Sequence, residues 1–211
     1  MADYLQPYVD ALATHGTGPG ITLWEGEHSQ TLRFEVLVDA MRTLKLLERD
    51  DLHLLDAGCS RGDLAAWLIE RGVPFGRYTG VDGVPEVVGF AQARGLPGCD
   101  FVAGDFVARP DLLDTGAPDV ILISGTLNSM DDATARRVVE AAWATGTRAL
   151  VFNFLSDAAD LPPLEPGDPA RRLDTRAMLG WALSQTPRVL FRQDYFPRGH
   201  DATIAMARPR A

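Results

Sequence analysis

The chain has 211 residues, 46% of them hydrophobic, enough to bury one substantial core in a single domain. A formal charge of −9 argues against a general nucleic-acid binder, which needs a basic face for phosphates. Two cysteines, Cys59 and Cys99, give no framework for disulfides or zinc, and no apolar run is long enough to span a bilayer.

The N-terminal MADYLQPYVD has no basic segment leading into an apolar run, so it does not read as a secretory signal. The expectation is a cytoplasmic protein, monomer or homodimer. After the glycines of HGTGPG comes an amphipathic helix over about 29–47, with Phe34, Leu37, Met41 and Leu44 at helical spacing and Ser29 as its N-cap. HLLDAG is a short apolar run suited to a strand buried on both faces, and LAAWLIERG follows as a helix ending at Gly72. The alternation then repeats. RYTGVDG reads as strand, PEVVGFAQARG as helix, CDFVAGDF as strand, DVILISG as strand, DDATARRVVEAAWATG as helix and RALVFNFLS as strand. A proline-rich connection, DLPPLEPGDP, leads to a helix over about 170–185, and RVLFRQDYF then faces DATIAMAR across PRGH, which only an antiparallel pair can do. The pattern predicts an α/β fold: a Rossmann-like, doubly wound, mostly parallel sheet with a C-terminal antiparallel hairpin and helices on both faces.

In such sheets ligands bind beyond the carboxyl ends of the strands. LLDAGCSRGD is the first strand end, where Gly58 and Gly62 let a ligand approach the backbone. A dinucleotide fingerprint wants glycines where this chain has Gly58, Ser60 and Asp63, and Asp63 would set an anion against a pyrophosphate. Without a following Lys-Ser/Thr pair, this is not a triphosphate loop either. A positively charged cofactor without phosphate fits better, and S-adenosylmethionine is one. Two further acids lie at successive strand ends: Asp82 in GVDG can accept from both ribose hydroxyls, and Asp105 in AGDF from an adenine amino group. Asp82 has a second reading, as an Asx-turn capping the next helix.

The ordered set LLDAGCSRGD, YTGVDG, FVAGDF and DVILISGTLN resembles that of the class I S-adenosylmethionine-dependent methyltransferases, from about residue 52 to 156. YFPRGHDATIAMAR resembles that family's terminal hairpin, and Ser60 departs from the family's usual glycine. The resemblance implies a seven-stranded sheet with the last strand inserted antiparallel. It divides the chain into an N-terminal helical segment and lid (1–50), a cofactor-binding core (51–156), an insert (157–187) and the hairpin (188–211). It makes Asp56, Gly58, Ser60 and Gly62 the turn around the methionine portion. Asp82 with Gly83 becomes the ribose site, Asp105 with Phe106 the adenine contact, and Ser124 lies near the amino group. Arg33, placed by position alone, would meet the cofactor carboxylate.

The acceptor side is less explicit. Asn128 and Asn153 could orient an acceptor heteroatom, and Trp24 is either an acceptor-stacking ring or a packing anchor. His200 in FPRGHD is the candidate general base, or only part of the hairpin link. Cys59 reads as a nucleophile near a helix start or as a small buried side chain. Asp131 and Asp132 with Asn153 resemble an oxygen-rich metal site, but an acidic helix start explains both aspartates, so no metal is expected. The expected function is methyl transfer to an O, N, S or C atom of a small molecule, mainly by alignment. Alternatives are an NAD-dependent oxidoreductase on a similar fold and a non-catalytic S-adenosylmethionine-binding partner protein.

Overall fold

The computed structural model describes residues 3–23, 26–165 and 167–209. The apolar runs become β1 (His53–Ala57), β2 (Arg77–Asp82), β3 (Cys99–Ala103), β4 (Val120–Ile123) and β5 (Ala149–Leu155), followed by β6 (Val189–Arg192) and β7 (Asp201–Ala207). They form one sheet of seven strands in the order β3-β2-β1-β4-β5-β7-β6. β1 to β5 pair in parallel, whereas β7 runs antiparallel to both β5 and β6. The last strand is therefore inserted between its hairpin partner and the parallel strands.

Side chains alternate faces along each strand, and this sorts the core into two layers. Leu55, Ile121 and Phe152 pack with α5 (Asp132–Ala144) and α6 (Thr175–Gln185). Leu54, Val120 and Val151 pack with α2 (Glu27–Thr43), α3 (Asp63–Glu70) and α4 (Pro85–Ala93). A smaller cluster joins Ala11, Ile21, Val84 and Val87, seating α1 (Gln6–His15) over the start of α4. Among the described residues no helix is long and apolar enough to cross a membrane.

Element ends depart from the sequence expectation for local reasons. α2 is capped by Gly26 at φ 116°, and Ser29 lies inside the first turn, its hydroxyl donating to the Gly26 carbonyl at 3.0 Å. That helix stops at Thr43, and Lys45 at φ 57° then turns the chain. α6 begins only at Thr175, where Asp174 accepts the Ala177 amide at 2.8 Å. β3 ends at Ala103, which leaves Asp105 in the turn beyond it. The hairpin link also runs longer than PRGH, from 193 to 200. Gln193 Nε2 donates to the Gly199 carbonyl (2.9 Å), and the Tyr195 and Thr203 hydroxyls meet at 2.6 Å.

Candidate active site

Strand order reverses between β1 and β4, and a cavity opens at the carboxyl ends of these strands and of β2 and β3. The turn after β1 needs left-handed backbone at Gly58 (φ 88°), Ser60 (φ 45°) and Gly62 (φ 72°). Serine adopts at Ser60 a conformation that glycine takes more readily. At Gly58 a second constraint acts. A Cβ there would lie 2.0 Å from Thr126 Oγ1, so the β4 loop, as much as any ligand, demands the glycine.

The turn's amides are largely spent inside the protein. Gly58 and Cys59 donate to the Val81 carbonyl at 2.7 and 3.2 Å, and Ser60 donates to Asp82 Oδ2 at 2.8 Å. Donors for a phosphate are thus scarce at this helix start, and the surrounding groups are acceptors. Asp82 Oδ1 also accepts the Val84 amide at 2.9 Å, so the Asx-turn reading of Asp82 is realised in the geometry. Each carboxylate oxygen retains a second lone pair, so this capping role does not exhaust Asp82, which lines the cavity.

Asp56 is the sharpest feature. It is 2% exposed; its Oδ2 accepts from the Tyr78 hydroxyl, while Oδ1 has no hydrogen-bond partner. Burial pushes its pKa up to about 7, the Tyr78 hydrogen bond opposes that, and Asp82 nearby adds to it. Burial also raises the pKa of Asp82 against the amides of Val84, Ser60 and Gly83. Cys59 is pushed well above the ordinary thiol value by burial and then by Asp82 and Asp56. A thiol buried and raised in this way fits the small buried side chain rather than the nucleophile. Asp63 is balanced by Arg94, whose NH1 lies 2.8 Å from Oδ1.

Of the residues singled out from the sequence, Asp56, Gly58, Ser60, Asp82 and Gly83 line the cavity on one side. Asp105 and Phe106, beyond β3, line it on that same side, and Ser124 and Asn128, after β4, line it on the other. Asn128 Oδ1 accepts the Leu155 amide at 2.9 Å. Gly62 lies behind the turn, where a Cβ would meet the Phe101 ring at 2.8 Å. Asn153 is fully buried and braces the end of β4, accepting the Gly125 amide at 2.6 Å. Arg33 and His200 are not among the lining residues. The Arg33 guanidinium forks onto Asp201, with NH2 at 2.9 Å from Oδ1, and His200 Nδ1 pairs with the same carboxylate. Trp24 lies outside the described residues. Asp131 caps α5 through the Thr134 amide (2.7 Å), and Asp132 accepts the Asp174 amide (2.9 Å), as an acidic helix start does. Among the described residues no group of three His, Cys, Asp or Glu side chains could hold a metal.

Residues 54–145 match the family model of a methyltransferase domain, across the glycine turn and the acids at the first three strand ends. Those residues are similar to a methyltransferase domain, and the seven-stranded sheet with its inserted antiparallel strand has the Rossmann-like fold of methyltransferases. Magnesium protoporphyrin IX methyltransferase ChlM from Synechocystis PCC 6803, with bound SAH, is similar in fold at 16% identity and TM-score 0.64, covering 95% of this chain and 99% of that one. DhpI in a complex with SAM and HEP is 15% identical with TM-score 0.54, over 98% of this chain and 94% of that one. The small RNA methyltransferase HEN1 is 14% identical with TM-score 0.61, but the match covers only 25% of its chain against 82% of this one. No curated protein matches the sequence.

The cavity is covered by the N-terminal segment, through contacts that the sequence did not reveal. Tyr4 donates to Asp105 Oδ2 at 2.6 Å, while Asp105 Oδ1 accepts the Val107 and Ala108 amides at 2.9 and 3.2 Å. Leu5 packs against Gly83, where a Cβ would come within 2.9 Å of its side chain. Tyr8 lines the cavity with its pKa raised to about 12, by burial first and also by Asp82, against an opposing Ser129 hydrogen bond. A signal was present in the sequence: Tyr4, Leu5 and Tyr8 recur at helical spacing in MADYLQPYVD. From α2, Gln30 and Phe34 also reach the cavity, one turn apart.

Proposed function

We propose that the domain transfers a methyl group from S-adenosylmethionine to a small-molecule acceptor, chiefly by holding the two in line. The observation that carries this is Asp56 Oδ1, a buried carboxylate oxygen without a partner at the wall of a cavity. An unpaired buried acceptor is costly, and an ammonium group satisfies it better than any neutral ligand. The methionine portion of the cofactor brings such an ammonium to this end of the turn. On this reading Asp82 receives the ribose hydroxyls, and Asp105 with Phe106 meets the adenine.

The bound cofactor would supply a methyl group already activated on a sulfonium. The chain's own work is then to orient the acceptor and exclude water. That division of labour agrees with the placement of His200 against Asp201, away from the cavity lining. Asn128 and Ser124, at the end of β4, are the polar groups that would fix the acceptor's approach. An RNA acceptor is disfavoured by the net charge of −9.

Calorimetry with S-adenosylhomocysteine tests the cofactor half. Asp82→Ala removes an acceptor of charged hydrogen bonds, worth roughly 1.5–3 kcal/mol, and should weaken binding at least about tenfold in a folded protein. Unchanged affinity in that variant would remove Asp82 from the ribose site.

A further inference from the structure

The cavity is lopsided in charge. Four aspartates line it (Asp56, Asp63, Asp82 and Asp105), yet among the described lining residues there is no lysine, arginine or histidine. Arg33 is paired with Asp201, away from the cavity; Arg94, at 2.8 Å, and Arg61, at 3.8 Å, offset Asp63 from outside the lining, which leaves Asp56, Asp82 and Asp105 without a cationic partner. All four acids belong to the β1–β2–β3 side. The opposite side, reached by Gln30 and Phe34 from α2 and by Thr126, Asn128 and Met130 after β4, carries no ionisable side chain.

On the reading of this site as an S-adenosylmethionine cavity, we propose that its acceptor is an uncharged, mainly apolar molecule that enters over the β4 side. An anionic acceptor would be desolvated with no cation to pair it and would sit in the field of the aspartates. The cofactor, with two positive groups and one carboxylate, offsets only part of that field. An ammonium acceptor meets the reverse difficulty. It has no lone pair for attack, it faces the sulfonium, and no carboxylate lies on the β4 side to hold it. Phe34 and Met130 provide apolar contact for a neutral body, and the Asn128 and Gln30 amides provide hydrogen bonds without charge.

Two dyes of one skeleton separate these cases: neutral N-phenyl-1-naphthylamine and its sulfonate, 8-anilinonaphthalene-1-sulfonate. Their fluorescence is titrated on protein saturated with S-adenosylhomocysteine. The neutral dye should bind at least about tenfold more tightly, the discrimination expected when an anion is buried without a partner. Ala170→Arg, a substitution at the half-buried rim of the β4 side, should narrow the gap by strengthening sulfonate binding. Equal or tighter binding of the sulfonate overturns the proposal. So does failure of both dyes to bind the saturated protein, or an Ala170→Arg variant with unaltered sulfonate affinity. Absence of heat on titrating S-adenosylhomocysteine would instead sink the cofactor reading, and the dye pair on the free protein would still report the charge preference.

Discussion

Asp56 links the sequence pattern to a measurable pH dependence. Its carboxyl is raised to about 7 in the folded chain by burial, whereas in the unfolded chain it titrates near the ordinary 3.8. A folded pKa above the unfolded one means the native state holds the proton more tightly. Its contribution to stability is complete below about 3.8 and is lost as pH rises through about 7. Asp56→Asn keeps an acceptor for Tyr78 and removes the titration. The variant without cofactor should therefore melt above wild type at pH 8, and the two should converge near pH 4. Melting curves that stay parallel across that range would show that Asp56 is not strained by its burial. The same group sets an opposite trend for the ligand. Between pH 6 and 7.5, S-adenosylhomocysteine should bind wild type more tightly as Asp56 ionises, a slope that Asp56→Asn should flatten.

At this scale the sequence was informative where chemistry depends on residue type and order. Asp56, Asp82 and Asp105 stand at successive strand ends, and all three carboxylates reach one cavity. Side-chain direction was not legible. Asn153 is in a strand as expected, but strand alternation and the β4 turn aim it at the Gly125 amide. Arg33 lies on the expected helix, yet nothing in the linear chain announces that Asp201, 168 residues away, will claim it.

The N-terminal helix shows how an element can be hidden in sequence and still shape the site. α1 has ten residues, too short to persist alone, so its helicity depends on packing against Val84 and Val87. Tyr4 fastens its leading turn to Asp105. If Asp105 meets the adenine, as proposed, a cofactor entering beneath α1 must loosen this contact. Tyr4→Phe keeps the ring and removes the latch. Stopped-flow binding of S-adenosylhomocysteine should show faster association and roughly tenfold faster dissociation, as expected for losing a part-exposed hydrogen bond to a charge. Unchanged rates would mean that α1 does not gate the cavity. The glycine turn offers a second test at this scale. Gly58→Val must displace Thr126, so it should disturb the β4 loop and abolish cofactor binding together. Normal binding in that variant would show that the pocket lies elsewhere.

Across the whole molecule, one buried charge cluster ties distant parts of the chain to the sheet. Asp201 opens β7 at 0% exposure and Arg33, from α2, is 4% exposed. His200 and the Phe196 ring close the group, with the Arg33 guanidinium 4.6 Å from the ring centre. α2 also carries Gln30 and Phe34 to the cavity, so this cluster fixes that helix relative to the inserted strand. Removing one member of a buried ion pair typically costs about 3–5 kcal/mol, because the other is left desolvated. Asp201→Ala should therefore lower the melting temperature by on the order of 10 °C in a chain of this size. Replacing both partners, as Arg33→Met with Asp201→Leu, should recover much of the loss. Affinity for S-adenosylhomocysteine, measured well below the melting point, should stay within about threefold of wild type, since neither residue lines the cavity. His200→Ala should behave likewise, with a smaller drop in melting temperature and no pH-dependent loss of turnover. An unaltered melting temperature in Asp201→Ala would remove the cluster from the stability account. A large loss of cofactor affinity in a well-folded Arg33→Met would show instead that this arginine leaves Asp201 to meet the cofactor carboxylate.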